Sequence, residues 1–208
     1  MKKSYIAAGL ATSVALITGA AYVSGWPPFE HRGTVSAGDV CKHLGPGEEA
    51  AAALNSILPD SESYSLMDGP ISSRTDYGSY ASSCFVEGDG KLLLSARAEL
   101  MMTESSASWI DSIKEYDFPS GSTTKFSAGQ AAFQSPLAAA IFVPCVSDKK
   151  IPGGQYNLSV KVRLTNPMES PSAEDRSDLR KLAIAASNYA HKQARCDLPA
   201  KLGSASAT

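Results

Sequence analysis

The sequence predicts an α+β fold: an antiparallel sheet with helices packed on one face, preceded by an apolar export or anchor helix at the N-terminus. Three observations predict it. Residues 157–164 alternate apolar and polar side chains, a period of two that is typical of a half-buried strand. Residues 91–102 alternate in the same way after Asp89-Gly90, a hairpin signal. Each half of the chain then runs strand, turn, amphipathic strand, loop and helix, an order that favours a sheet with helices on one face.

The N-terminus carries two lysines followed by an uncharged apolar segment, Tyr5–Val23. Positive charge before such a segment predicts export, with the positive end kept inside. The small residues Gly19-Ala20-Ala21 favour a cleaved signal peptide, whereas the length of the segment favours a retained membrane anchor. Both interpretations of residues 1–25 place the rest of the chain outside the cytoplasm, either tethered to the cell membrane or secreted.

The remaining chain divides into a linker, one domain and a tail. Residues 26–35 contain Pro27 and Pro28, which favour an extended backbone and predict a linker. Residues 36–199 are expected to form the extracytoplasmic α+β domain. Residues 200–208 are small and polar, which predicts a flexible tail.

Apolar spacing and capping residues predict the helices of the domain. They are a short helix over 37–44, a helix from about Gly47 that ends near Pro59, a helix over 105–116, and a last helix capped by Ser172. The polar stretch 61–79 predicts a long irregular connection.

The strand over 91–102 has a predicted apolar face and a predicted polar face. The apolar face consists of Leu92, Leu94, Ala96, Ala98, Leu100 and Met102. The strand over 157–164 likewise predicts four residues facing the core, namely Leu158, Val160, Val162 and Leu164.

Composition excludes several functional classes. Charged residues make up 19% of the chain, the net charge is -2, and the lysines and arginines are scattered, so no nucleic-acid partner is expected. The chain has no phosphate-binding loop, no dinucleotide-binding glycine motif and no HExxH motif. The three histidines, His31, His43 and His191, are far apart and predict no metal site. We therefore expect no cofactor, no metal and no catalytic residue.

Two Ser-x-x-Lys matches support the alternative interpretation that the protein is an enzyme. They are Ser147 with Lys150, and Ser122 with Lys125. In penicillin-recognising enzymes this motif places a lysine beside a nucleophilic serine on a helix. Here both matches lie in loop or turn sequence, without the accompanying S-D-N and K-T-G motifs, so a serine-dependent hydrolase is the second interpretation.

The four cysteines are Cys41, Cys84, Cys145 and Cys196. An even number in an exported chain predicts disulfide bonds, and four cysteines allow three pairings. We favour Cys41–Cys84, because Cys41 begins the helical region that is expected to pack on the strand pair containing Cys84. The remaining pair, Cys145–Cys196, would then attach the end of the last helix to the sheet.

The segment DVCKHLGPGEEAAAAL carries a resemblance to a known family. It is similar to the opening of a family of small exported actinobacterial envelope proteins and lipoproteins, whose domain has no assigned function. The matching positions are Cys41, Leu44, Glu48, Glu49 and Cys84. The resemblance implies a Glu- and Ala-rich helix, a second cysteine in a strand, and then a helix, strands and a C-terminal helix. It brings no catalytic residue.

These observations together predict a non-catalytic extracytoplasmic protein of the cell envelope. Its expected partners are the membrane, through the N-terminal segment, and an unknown envelope protein or ligand bound at the cell surface. The alternatives are the serine-dependent envelope hydrolase and a structural spacer. A hydrolase predicts a serine and a buried lysine together in a pocket, whereas a binding protein predicts a groove or apolar patch without that pair.

Export is directly testable. Because Lys2 and Lys3 are the only charges before the apolar segment, the C-terminus is expected outside the cytoplasm. An alkaline phosphatase fused there should be active, and a reporter that functions only in the cytoplasm should be inactive. The opposite pair of results would contradict the predicted orientation.

Overall fold

The fold is given by a computed structural model, which describes most of the chain beyond the N-terminal segment. The described residues are 32–69, 72–74, 79–102, 105–116, 118, 123–150, 155–165 and 171–203. The predicted signal or anchor at 1–25 lies outside them. None of the helices formed by the described residues is both long and apolar enough to span a bilayer.

The described residues form three α-helices, one short 3-10 helix and eight strands. The helices are α1 (Gly47–Ile57), α2 (Ser106–Tyr116) and α3 (Ala173–Gln193), with the 3-10 helix at Lys42–Leu44. The strands are β1 (Tyr64–Asp68), β2 (Ser72–Arg74), β3 (Ser79–Gly88), β4 (Lys91–Met102), β5 (Thr124–Lys125), β6 (Ala131–Gln134), β7 (Ala138–Val146) and β8 (Tyr156–Leu164).

All eight strands of the described chain join one antiparallel sheet. Its order is β1-β3-β4-β8-β7-β6-β5, and β2 pairs with β3 beside β1. The α+β class predicted from the sequence is therefore confirmed. The strands β1 and β2 fall in the polar stretch for which the sequence predicted an irregular connection.

The core lies between the sheet and the layer formed by α1 and α3. All four residues predicted to face inward from β8 are fully buried there: Leu158, Val160, Val162 and Leu164. Burial of such side chains is worth about 1.5–3 kcal/mol each. The period-two pattern thus identified the strand and its inward face correctly. The strand is not half-buried as predicted, however, because Asn157 and Ser159 are buried as well.

The apolar face of β4 differs from the prediction near its start. Leu92 is 39% exposed, whereas Leu93 is buried, because the pairing of β3 with β4 shifts by one residue after Val86. A β-bulge of this kind reverses the facing of the residues beyond it. Met102 lies at the far end of the strand and is 64% exposed.

The prediction that the helices pack on one face is wrong, because α2 covers the opposite face of the sheet. Trp109 stacks on Phe142, with ring centroids 4.9 Å apart, and its Nε1 donates a hydrogen bond of 2.9 Å to Oγ of Ser159. The physical reason is that β7, with the sequence AAAIFVPCV, is apolar at every position. A strand that is apolar on both faces needs cover on both faces.

The last helix begins and ends with specific contacts. Ser172 accepts a hydrogen bond from the backbone N–H of Asp175, whose carboxylate accepts one in return from the Ser172 N–H, so the predicted cap is confirmed as a capping box. The helix ends at Gln193. Arg195 then adopts a left-handed φ of 51°, and the chain turns so that Cys196 meets the end of β7.

The cysteines form two disulfide bonds, Cys41–Cys84 and Cys145–Cys196, which is the pairing favoured from the sequence. The described chain contains no free cysteine. Two structural disulfides indicate an oxidising, extracytoplasmic environment.

Contacts of the domain extend past the predicted bounds at both ends. Val35 is buried, and its N–H and C=O both bond to the side-chain amide of Asn55 on α1. At the other end, the carbonyl of Lys201 accepts a hydrogen bond from the N–H of Gly129, and Leu202 packs against the core.

The second disulfide supports a stability prediction. Replacing Cys145 and Cys196 together by serine removes a cross-link across a sequence separation of 51 residues. From the entropy of closing a loop of that length, we expect the free energy of unfolding to fall by about 4 kcal/mol. Urea unfolding of protein made with its export segment measures this loss. The double substitution of Cys41 and Cys84, separated by 43 residues, should cost about the same. Non-reducing peptide maps that link Cys84 to Cys145 would contradict this pairing.

Candidate functional site

A groove runs over the helical layer between α1 and α3. Its volume is about 1030 Å³, at the upper end of the range for sites that bind small molecules. The lining residues lie mainly on the facing sides of the two helices. On α1 they include Glu49, Ala50, Ala53 and Ser56, and on α3 they include Asp178, Lys181, Leu182, Ala185, Asn188, Tyr189 and Lys192.

Small residues form much of the groove lining. Ala50 and Ala53 are buried on α1, and Ala185 lies opposite on α3. Gly45, just before α1, has a φ of +91°, and a Cβ placed there would lie 2.8 Å from Cβ of Ala185. The 3-10 helix therefore approaches α3 closely because position 45 has no side chain. These short side chains leave the space above them open.

The groove edge is charged, with both signs present. Three carboxylates and two lysines line it: Glu49, Glu174, Asp178, Lys181 and Lys192. Asp178 is the unusual member, because its side chain is only 9% exposed. Its Oδ1 lies 2.8 Å from Nζ of Lys181, whose own side chain is 52% exposed.

Tyr189 connects the groove to a buried histidine. The rings of Tyr189 and His43 meet edge to face, with centroids 5.1 Å apart. His43 is 4% exposed, and its Nδ1 lies 2.7 Å from Oδ1 of Asp68. Its Nε2 has no hydrogen-bond partner among the described residues.

The histidine ring also borders a very small cavity that Ser82 lines. The cavity is about 10 Å³, room for about one water. The hydroxyl of Tyr80 donates a hydrogen bond to Oγ of Ser82, and burial raises the pKa of Tyr80. Ser82, His43 and Asp68 are the residue types of a hydrolase triad, but a cavity of this size does not admit a substrate. We assign this cluster to the packing of the 3-10 helix.

In the Ser-x-x-Lys match at Ser147, the two side chains bond to different groups. Oγ of Ser147 donates a hydrogen bond of 2.5 Å to Asp197, and Nζ of Lys150 donates one of 2.6 Å to the carbonyl of Arg195. Lys150 is exposed rather than buried. The other match cannot be placed, because Ser122 lies outside the described residues.

The histidines and carboxylates of the described chain form no group of three metal-binding side chains. Nε2 of His191 lies 2.8 Å from the carbonyl of Leu198, close to the end of α3, and His43 is buried beside Tyr189. His31 lies outside the described residues. The four cysteines named from the sequence are all in disulfides.

Sequence reasoning did not identify the groove. Its residues come from two helices more than a hundred positions apart. The apolar pattern within one helix predicts only the buried side of that helix. One signal was present in the sequence. The alanine run 50–53 is too small to fill the space between two packed helices.

The chain matches no family model, no curated protein and no solved structure.

The Ser147–Asp197 contact generates a pH prediction. The hydrogen bond from the Ser147 hydroxyl lowers the pKa of Asp197 from its ordinary value of 3.8, although this carboxylate is almost fully exposed. A lowered carboxyl pKa adds stability above the unfolded-state value, and that stability is lost as the pH falls through the folded-state value. Ser147→Ala should therefore reduce the free energy of unfolding at pH 7, by less than about 1 kcal/mol because of solvent screening.

The difference between Ser147→Ala and the parent should shrink as the pH is lowered below 3.8. Thermal unfolding followed by circular dichroism over a pH series measures it. Ser127→Ala, at an exposed serine, is the matched control and should show no such dependence. A difference that stays constant at acid pH would show that Asp197 is not responsible.

Proposed function

We propose that the chain is a non-catalytic, extracytoplasmic binding protein of the cell envelope, and that its ligand site is the groove between α1 and α3. The observation that carries the proposal is the groove itself: a volume of about 1030 Å³ with a lining rich in small apolar residues and a charged edge. Ligand sites in proteins commonly combine an apolar surface with a few placed polar groups.

The two alternatives receive less support. A serine hydrolase needs a nucleophile beside a base, and Ser147 and Lys150 take different partners at an exposed turn. A structural spacer has no need of a groove, and filling this one with larger side chains at the alanine positions would add buried apolar area. The membrane contact through residues 1–25 and the family resemblance of residues 39–54 stay part of the proposal.

Supporting geometry also comes from how the walls of the groove are held. The α3 wall is capped at Ser172 and attached to β7 by the Cys145–Cys196 disulfide. The α1 wall follows Cys41, which is bonded to β3, and Asn55 holds it to Val35. Binding to walls fixed in this way loses little conformational entropy.

A blocked groove tests the proposal. Asn188 is exposed on α3 and lines the groove, so Asn188→Trp should occupy the site without disturbing the core. The neutral dye Nile red, whose fluorescence rises in apolar sites, should bind the parent protein and lose most of its enhancement with this variant.

Gln193→Trp is the matched control, because Gln193 is exposed on the same helix and does not line the groove. It should leave the dye signal unchanged. Equal signals from the parent and both variants would mean that the dye binds elsewhere, including the apolar N-terminal segment, and the groove would lose its assigned role.

A further inference from the structure

We propose that the ligand of this groove is a small amphiphile with a cationic head, and that its head binds Asp178 while its apolar body lies along the alanine-lined groove. The inference rests on the proposed function, because it takes the groove as the binding site. It adds the chemistry and the orientation of the ligand.

Asp178 is the group that selects a cation. Its side chain is 9% exposed and lines the groove. Removing a carboxylate from water is costly unless hydrogen bonds and opposite charge replace the lost hydration. Within the part of the chain that the structure describes, its side chain has one partner, Nζ of Lys181 on a single oxygen. A carboxylate accepts about four hydrogen bonds, so capacity is left for a ligand.

Lys181 is suited to give way to that ligand. It lies one turn further along the same helix, and its side chain is about half exposed. Only the lysine of this pair is exposed, so its ammonium returns to water when it leaves, while a ligand ammonium keeps the buried carboxylate paired. A ligand ammonium can therefore take its place at Asp178 while Lys181 turns into solvent at little cost.

The rest of the groove suits an apolar body of limited length. Between Asp178 and Tyr189, eleven residues of α3 rise about 16 Å. Leu182 and Ala185 lie on this path, opposite Ala53 of α1. The volume fits a small molecule with an alkyl chain better than an additional protein helix.

The remaining charges do not favour an anionic head. Glu174 adds a second carboxylate near Asp178, and Glu49 adds another on α1. Lys192, the other lysine of the groove, lies in the last turn of α3, where the helix dipole stabilises a cation. An anion near Asp178 would meet a buried like charge.

Titration calorimetry of the full chain with three probes tests the inference. The probes are decylammonium and decanoate, each below its micellar concentration, and decanol below its solubility limit. Decylammonium should bind most tightly. Asp178→Asn should weaken decylammonium about tenfold, as expected when a charged hydrogen bond is lost, and leave decanol unchanged. Lys181→Met should strengthen decylammonium, because the competing cation is gone.

Matched controls are available on α2, on the other face of the sheet. Asp111→Asn and Lys114→Met change the same charges at exposed positions and should leave all three affinities unchanged. If Asp178→Asn fails to fold, Lys181→Met decides the question, because it keeps the carboxylate. Tightest binding by decanoate, or a weaker decylammonium affinity in Lys181→Met, would overturn the inference.

The same experiment separates this inference from the proposed function. If Asn188→Trp abolishes binding of all three probes but their affinities are equal, the groove binds apolar ligands and only the cationic preference fails. If none of the probes is sensitive to Asn188→Trp, the groove is not their site and both proposals fail. Tighter binding of an amphipathic lysine-bearing peptide at the same site would replace the small amphiphile as the ligand class.

Discussion

Strand β7 sets the architecture, because all of its residues are buried and a single strand exposes two faces. One face carries Ile141 and Val143, which join the core beneath α3. The other carries Ala140 and Phe142, which join the smaller cluster around Trp109. Neither face can be left to water without exposing a continuous apolar surface. The sheet is therefore covered from both sides at this strand, and the positions of α2 and α3 follow from it.

The elements that could be predicted from the sequence are those whose signal is local. The alternation in β8 identified its inward-facing residues, Ser172 identified the start of α3, and the apolar spacing over 105–116 identified α2. For β8 and α2 the pattern lies within one segment, where side-chain periodicity determines the exposed and buried sides. The disulfide pairing is the exception, because it joins distant segments and was inferred from which elements were expected to pack together.

The features that could not be predicted depend on contacts between distant segments. The bulge at Leu93 is set by how β4 pairs with β3, and β1 is a five-residue strand at the sheet edge with no buried residue. The side of the sheet on which α2 packs depends on which face of β7 is left uncovered by α3. Predicting the groove requires the knowledge that α1 packs beside α3. The cluster of His43, Asp68 and Ser82 likewise joins positions that no short motif connects.

The attachment of each helical wall to a different strand has a mechanical consequence. The α1 region is covalently linked to β3 and α3 to β7, and these strands are separated in the sheet by β4 and β8. The two helices also pack directly on each other, so each wall is held both by its disulfide and by the neighbouring helix. In the binding site proposed above, walls held in this way would select ligands by their cross-section, and a bulkier body would be rejected.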